Sequence, residues 1–458
     1  MYFELDEHQS RLAAYIEATY HISSPELVAL RRALLDEDRA IAQRPYLEST
    51  ARYTAPRRFD TLDIPAPARA LLTALGRQKV VFDPPYAHQS DALERTLTHG
   101  DDLLVMTGTG SGKTETFLLP LLSQLYVEAV ERPASFKVRG LRSIILYPMN
   151  ALVNDQLTRL RGLLGHPAVV EAFVKAAGRP AKFARYTGRT LFPGEVPRAD
   201  DERAADYLNR RLAPLKLYLR LMEQAADNPN PALRDEAKVL IDRLKETGRW
   251  PSKPDLHRWY WGDAGRKWFK KDGSLARTVE NNEQDAELLL RHEVQTSPPD
   301  LLITNYSMLE YTLLRPLERG IWSRARERFE AFPDERLTLV LDEAHLYRGA
   351  GGAEVALLLR RLRQRLGLSA DRVQVICTSA SFERQDAALD FIAALSGKPQ
   401  TGFVPLRGER LASAPSGPGD GALAATLAAV SLSALSDDDP RARAEAAPAR
   451  PPTAEETP

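Results

Sequence analysis

Apolar residues recur in two rhythms along this chain. Over the first 80 residues the rhythm is helical: Leu12, Ala13 and Ile16, then Leu27, Leu30, Leu34 and Leu35, fall on shared helix faces. Ser24-Pro25-Glu26 marks a helix start, with serine as cap and proline at the first helical position. Residues 1–80 therefore read as a helical accessory N-terminal domain. From residue 81 onward short apolar runs alternate with helical stretches. The runs at 103–106, 143–147, 183–186, 301–304, 337–341 and 374–377 predict strands. Helices between them predict a parallel sheet with right-handed crossovers. The alternation is interrupted once. Three intervening strand–helix units with a lead-in need only ~120 residues, yet 229 positions separate Lys113 from Asp342. The surplus maps to 191–295, with a helical pattern over 202–247 that includes Leu208, Leu212, Leu215, Leu217 and Leu221. An α/β domain is thus expected over 81–190 and 296–410, split by a mainly helical insertion at 191–295. Within it, Glu354–Leu366 predicts a helix. Val355, Leu358, Leu359, Leu362 and Leu366 form its apolar face, and Arg360, Arg361, Arg363 and Arg365 an opposite face that reads as solvated surface. Near residue 412 the composition turns to Ala, Pro, Asp, Ser and Gly, as in Asp437-Asp438-Asp439-Pro440. The tail 411–458 is expected to be disordered, with one short alanine-rich helix near 421–435.

Charge and cysteine content narrow the function classes. Lys+Arg and Asp+Glu both total 62 in 458 residues, so the net charge is zero. A protein that grips nucleic acid by bulk charge is usually basic, so any such binding must use a local patch. The single cysteine, Cys377, excludes a disulfide framework and fits a cytoplasmic location. The acidic start (Glu4, Asp6, Glu7) does not read as a signal peptide, and no apolar run is long enough to span a membrane.

The chemistry sits at strand ends. Thr107-Gly108-Thr109-Gly110-Ser111-Gly112-Lys113-Thr114-Glu115 follows the run Leu103-Leu104-Val105-Met106 and leads into the helical pattern at Phe117-Leu118-Leu119. Strand, glycine-rich turn and helix are what a phosphate-binding loop requires: glycines let backbone N–H groups close around an anion, and the helix N-terminus favours negative charge. Lys113 would reach the outer phosphates, and the Thr114 hydroxyl would ligate Mg²⁺. Thr107 stands where the general pattern has glycine. Downstream, the apolar run 337–341 ends in Asp342-Glu343-Ala344-His345. Two adjacent carboxylates can divide the labour, Asp342 holding the Mg²⁺ and Glu343 orienting or deprotonating the attacking water. An N-terminal helix cap alone would explain the aspartate, but not its conjunction with a phosphate loop upstream.

These two motifs, with those between them, resemble superfamily 2 DEAH-box helicases. Tyr86-Ala87-His88-Gln89 looks like the adenine-reading motif, in which Gln89 would hydrogen-bond the base. Tyr147-Pro148-Met149-Asn150-Ala151-Leu152-Val153-Asn154-Asp155-Gln156, Tyr186-Thr187-Gly188-Arg189 and Ile303-Thr304-Asn305-Tyr306-Ser307-Met308-Leu309 look like the strand-contacting motifs. Thr378-Ser379-Ala380-Ser381 resembles the Ser-Ala-Thr coupling motif, with serine in the last place. Within the superfamily, Pro299–Tyr311 and Asp342–Ala350 are closest to the large bacterial DNA helicases that end in a zinc-binding domain, a group with DNA-repair and anti-phage members. The resemblance covers roughly residues 25–410. It implies a RecA-like fold, with ATP and Mg²⁺ as cofactors. Lys113, Asp342 and Glu343 would be catalytic, and Gln89 and Gly108–Glu115 would bind nucleotide. Asn150, Gly188, Arg189, Thr304 and Asn305 would contact nucleic acid, DNA in preference to RNA. His345, Thr378, Ser379 and Ser381 would couple the two sites.

Two questions stay open at this level. The insertion holds Trp250, Trp259, Trp261 and Trp268 among basic residues. They read either as a small aromatic core, which the area gained on burying tryptophan favours, or as a stacking platform for single strands. The family also uses a second RecA-like domain carrying an arginine finger. About 75 residues follow Ser381, fewer than the ~100–150 of such a domain, so the expectation is that a missing C-terminal part or a separate subunit supplies it. The chain then reads as the ATPase half of a DNA helicase or translocase, nearly inactive alone. The other reading is a regulatory subunit that binds ATP and nucleic acid and needs a partner to complete the site.

Overall fold

The computed structural model describes residues 2–37, 40–41, 53–108, 110–190, 213–253, 284–380, 384–409 and 411. The chain divides into one unit of residues 1–51 with 411–458 and another of residues 52–410. In the first, α1 (Tyr2–Thr19) and α2 (Pro25–Asp36) form where the helical rhythm runs. The Ser24 hydroxyl accepts from Leu27 N at 3.5 Å, and Arg32 on α2 pairs with Glu17 on α1 at 3.1 Å. Ala13 is buried, but Leu12, Leu27, Leu30 and Leu34 are exposed.

The second unit is built on one sheet. Its strands are β1 (Asp102–Met106), β2 (Ser143–Tyr147), β3 (Phe183–Arg185), β4 (Glu287–Leu288), β5 (Leu301–Asn305), β6 (Leu337–Leu341), β7 (Val373–Ser379) and β8 (Phe403–Arg407), in the order β4-β3-β5-β2-β6-β7-β1-β8. All pairs are parallel. The helices, in chain order, are α3 (Ala66–Arg77), α4 (Ala87–Glu94), α5 (Lys113–Glu131), α6 (Pro133–Lys137), α7 (Asn150–Leu163) and α8 (Pro167–Ala177). Then come α9 (Ala213–Asp227), α10 (Pro231–Glu246), α11 (Arg291–Thr296), α12 (Tyr306–Leu314), α13 (Arg319–Ala331), α14 (Gly349–Leu366) and α15 (Gln385–Ser396). This is the RecA-like α/β architecture expected from the sequence, with helices on both faces.

The near-continuous apolar runs make sense in such a sheet, because strands covered on both sides alternate their side chains between two cores. Leu103, Val105, Ile145 and Ile303 face a layer with Leu72, Phe117, Phe136 and Phe173 from α3, α5, α6 and α8. Leu104, Ile144, Leu146, Leu339 and Leu341 face the opposite layer with Trp322, Phe329, Leu358 and Ile392 from α13, α14 and α15. Residues 59–75 lie within the first core, sharing it with α5. The six expected strands form, and two more complete the sheet. β8 carries Pro405, which an edge strand tolerates because one side of its backbone has no ladder to serve. β4 has two residues, too few to show a period, and lies inside the stretch 191–295.

Ion pairs tie the helices and the insertion to this sheet. Asp300, just before β5, is fully buried between Arg142 at 2.8 Å and Arg179 at 2.7 Å. Burial alone would raise its pKa, but the two guanidinium groups hold the carboxyl below the usual carboxylate range. The hairpin of α9 and α10 packs Trp250 edge-on against Tyr218 at 5.1 Å. Arg161 on α7 meets Glu287 of β4 at 2.7 Å, and buried Lys253 meets Asp285 at 2.8 Å and Glu293 at 3.2 Å. Trp259, Trp261 and Trp268 lie outside the described residues, as does the alanine-rich stretch 421–435. No helix among the described residues is long and apolar enough to cross a membrane.

Candidate nucleotide and nucleic-acid site

Register aligns the functional segments. Met106 of β1 pairs with Ser379 of β7, Leu341 of β6 with Cys377, Leu146 of β2 with Leu341, and Tyr147 of β2 with Asn305 of β5. The turns that follow β1, β2, β5, β6 and β7 therefore leave one edge of the sheet, the carboxyl edge where ligands collect in open α/β folds.

The turn after β1 is shaped by its glycines. Gly110 and Gly112 have φ of +76° and +70°, and Lys113 is the first residue of α5. A Cβ on Gly112 would lie 2.4 Å from Gln89 Nε2, so both the dihedral and the neighbour demand glycine there. Thr107 has a structural reason. Its Oγ1 accepts from the buried Ser111 Oγ at 2.7 Å, a brace across the loop that glycine could not make. α4 supports the same loop from outside. His88 Nε2 meets Ser111 O at 3.0 Å, and Gln89 Nε2 donates to Gly112 O at 3.0 Å. Gln89 Oε1 accepts from Tyr86 N at 2.9 Å, so the amide expected to read adenine is engaged with backbone at both ends. Burial lowers the His88 pKa, with the Ser111 contact opposing. Thr109 lies outside the described residues.

Sequence positions 230 apart meet at the cleft: Lys113 Nζ lies 3.1 Å from Glu343 Oε1. Asp342 ends β6. Its Oδ1 accepts from Thr378 Oγ1 and, at 3.0 Å, from Glu343 N. Burial raises the Asp342 pKa; the Thr378 hydrogen bond opposes this and the Glu343 charge adds to it. Glu343 adopts φ +49°, a left-handed conformation that a non-glycine residue holds only under constraint from its surroundings. His345 Nδ1 contacts Glu343 Oε2 at 3.4 Å and Ser379 Oγ at 3.3 Å. Thus Thr378, Ser379 and His345 all touch the carboxylate pair or each other. Ser381 lies outside the described residues.

Along the same edge, Asn305 Nδ2 donates to Asn150 Oδ1 at 2.6 Å, and Asn305 Oδ1 caps α12 by accepting from Met308 N at 2.7 Å. Thr304 Oγ1 donates to Tyr186 O at 2.7 Å. Thr304 and Asn305 are buried, whereas Asn150, Gly188 and Arg189 are exposed. The edge thus offers three solvent-facing residues braced by two buried ones. Gln156, named only as the end of a strand-contacting motif, donates through Nε2 to Thr114 Oγ1 at 3.1 Å and so links α7 to the loop helix. The available signal for Gln156 was its place one turn along from Val153, on the buried face of α7. Sequence reasoning missed Arg159, which pairs with Glu115 at 2.6 Å.

A nucleoside triphosphate with Mg²⁺ fits this donor set. The loop presents two left-handed glycines before a helix N-terminus, Lys113 already holds an anionic oxygen, and Thr114 and Asp342 supply the hard oxygen donors Mg²⁺ prefers.

Residues 86–210 match the DEAD/DEAH box helicase family. The chain carries a DEAD/DEAH box helicase domain. It is 43% identical over 400 residues to Druantia protein DruE of Escherichia coli, a match spanning 84% of this chain and 21% of that protein. An uncharacterized ATP-dependent helicase, MJ1574 of Methanocaldococcus jannaschii, is 26% identical over 122 residues, 25% of this chain and 16% of that one. Among solved structures, the DUF1998 helicase MrfA bound to DNA aligns over 75% of this chain and 29% of its own, with 18% identity and a TM-score of 0.37. Mss116p bound to single-stranded RNA and AMP-PNP aligns over 78% and 47%, with 13% identity and a TM-score of 0.41. The match spans only about a fifth of DruE's length.

Proposed function

We propose that the chain is the ATP-binding, nucleic-acid-dependent ATPase half of a DEAH-box helicase or translocase, acting on DNA in repair or phage defence. A second RecA-like domain, from the rest of a longer protein or from a separate subunit, would complete it. One observation carries the reading: Lys113 of the phosphate loop meets Glu343 at 3.1 Å, while Asp342 is held through Thr378 beside the strand end at Ser379. Bound Mg²⁺ would neutralise charge on the outer phosphates. Lys113 would hold those phosphates once it exchanges Glu343 for them. That exchange frees Glu343 to orient water. Thr378 would transmit movement between Asp342 and the edge bearing Asn150, Gly188 and Arg189. The Asn150 and Arg189 side chains and the Gly188 backbone would meet backbone phosphate and read no sequence, which suits a moving motor. DNA is preferred to RNA on the resemblance to the bacterial DNA helicases.

The test uses ATP titration together with hydrolysis in the completed enzyme. Lys113→Ala should abolish ATP binding. Glu343→Gln should retain binding and stop strand-stimulated hydrolysis. Wild-type affinity in Lys113→Ala would remove the phosphate-loop assignment, and undiminished turnover in Glu343→Gln would remove the water-orienting role.

A further inference from the structure

On the face of the sheet opposite α5, helices α12, α13 and α14 enclose a groove of about 550 Å³. Leu313 and Trp322 close its floor, and Arg319, Arg326, Arg361 and Arg365 stand around it. Two of these guanidinium groups have carboxylate partners: Arg326 pairs with Glu330 at 2.7 Å and Arg361 with Glu310 at 3.9 Å. Among the described residues, Arg319 and Arg365 have none. The neighbouring arginines Arg360 and Arg363 instead lie beside Gly397, at the end of α15, so the basic face of α14 is divided in two.

The surface beside the groove is also apolar. Tyr311 and Leu314 on α12 are 59% and 62% exposed, Leu317 just after it 53%, and Leu357 on α14 59%. The Glu310–Arg361 contact sets the two helices' exposed stripes side by side, because Leu314 lies one turn from Glu310 and Leu357 one turn from Arg361. Scattered exposed leucines need no explanation, but exposed apolar side chains gathered beside a concave groove with two unpaired arginines mark an interaction site.

We propose that this groove docks an acidic amphipathic segment of a partner protein. Its leucine or phenylalanine side chains would pack on Leu314 and Leu357, and its carboxylates would meet Arg319 and Arg365. Such a helix-in-groove mode needs both chemistries at once. Nucleic-acid phosphates have no use for the apolar stripe. Position argues the same way: α14 runs back along the sheet after β6, so Arg361 and Arg365 in its last turns lie far from the edge carrying Asn150 and Asn305.

The test measures fluorescence anisotropy of three probes on the full chain: a labelled helical peptide with leucines at i, i+4 spacing and glutamates elsewhere, the same peptide with lysines replacing the glutamates, and duplex DNA. The acidic peptide should bind saturably and the lysine peptide should not. Arg319→Glu with Arg365→Glu, and separately Leu314→Ser with Leu357→Ser, should each weaken the acidic peptide about tenfold. Melting temperature and ATP affinity should stay at wild-type values, since these side chains are outside the core and the nucleotide cleft; if the glutamates lower the melting temperature, the Arg→Gln pair replaces them. Equal binding of the acidic peptide to wild type and both variants would overturn the proposal. So would duplex DNA that displaces the peptide and loses affinity in the arginine variant, which would assign the groove to phosphates.

Discussion

Replacing Thr107 by glycine, the residue that opens the general phosphate-loop pattern, should weaken this particular loop. The Ser111 hydroxyl is fully buried and donates to Thr107 Oγ1 at 2.7 Å. Removing the acceptor strands a buried hydroxyl, at roughly 1–3 kcal/mol. Glycine's extra freedom in the unfolded chain and the open loop adds ~0.5–1 kcal/mol. A combined cost near 2 kcal/mol corresponds to roughly thirtyfold in an equilibrium constant. If the loop holds its shape before nucleotide arrives, the cost lowers thermal stability; if nucleotide shapes the loop, it raises the ATP dissociation constant. Melting curves with and without Mg-ATP, together with a fluorescent-nucleotide titration, read both. Thr107→Ser should stay close to wild type because it keeps the acceptor. Thr107→Val keeps the shape and loses the acceptor, and so isolates the hydrogen bond. A Thr107→Gly protein with unchanged melting and unchanged ATP affinity would refute the bracing role.

Gly112→Ala should cut ATP affinity at least tenfold, since its Cβ would sit 2.4 Å from Gln89 Nε2 at a φ costing ~1–2 kcal/mol for an L-residue; titration at wild-type affinity would contradict this. Asp300→Asn should destabilise the fold by roughly 3–5 kcal/mol by leaving Arg142 and Arg179 buried without their charge partner. A denaturant midpoint indistinguishable from wild type would count against that. His88 should make the loop acid-sensitive. Its folded pKa is lowered below 6.5, so between that lowered value and 6.5 the unfolded chain binds more protons, and stability falls as pH drops through this window. Melting temperatures of wild type and His88→Asn across that range should converge in slope only if His88 is not the group responsible.

The apolar runs made the sheet legible where they were long enough. β2 and β6 are five-residue runs buried throughout, and their period and flanks leave little alternative. β4 could not be read, because two residues carry no rhythm and its pairing depends on β3 already being placed. Pro405 argued against β8, and only the edge position excuses it. In the site, the convergence of Lys113, Asp342 and Glu343 was legible because phosphate chemistry restricts residue type and spacing. The contact roles of Thr304 and Asn305 were less so. A motif names residues that belong together, but it does not say which face solvent, and these two turn inward to hold Tyr186 and Asn150. The contact of Gln156 was hard to read for a related reason: its place on the buried face of α7 marks it as paired, but its partner, Thr114, is 42 positions away.

The strand order bears on how such a chain can change length. β3 and β4 are the outermost pair of the sheet, and β5, β2, β6 and β7 stand between them and β1. The segment joining β3 to β4 leaves and re-enters the fold at its periphery, so residues added there stretch no connection that spans the cleft. Closing a longer excursion costs little, since the entropy grows only with the logarithm of loop length. Additions within the central strands differ: a residue inserted within β6 or β7 would shift Asp342 or Thr378 by about 3.3 Å along the sheet. The β3–β4 connection is accordingly where a reporter protein or an affinity module could be spliced in with the nucleotide cleft left in register, and where relatives of this chain have most room to diverge.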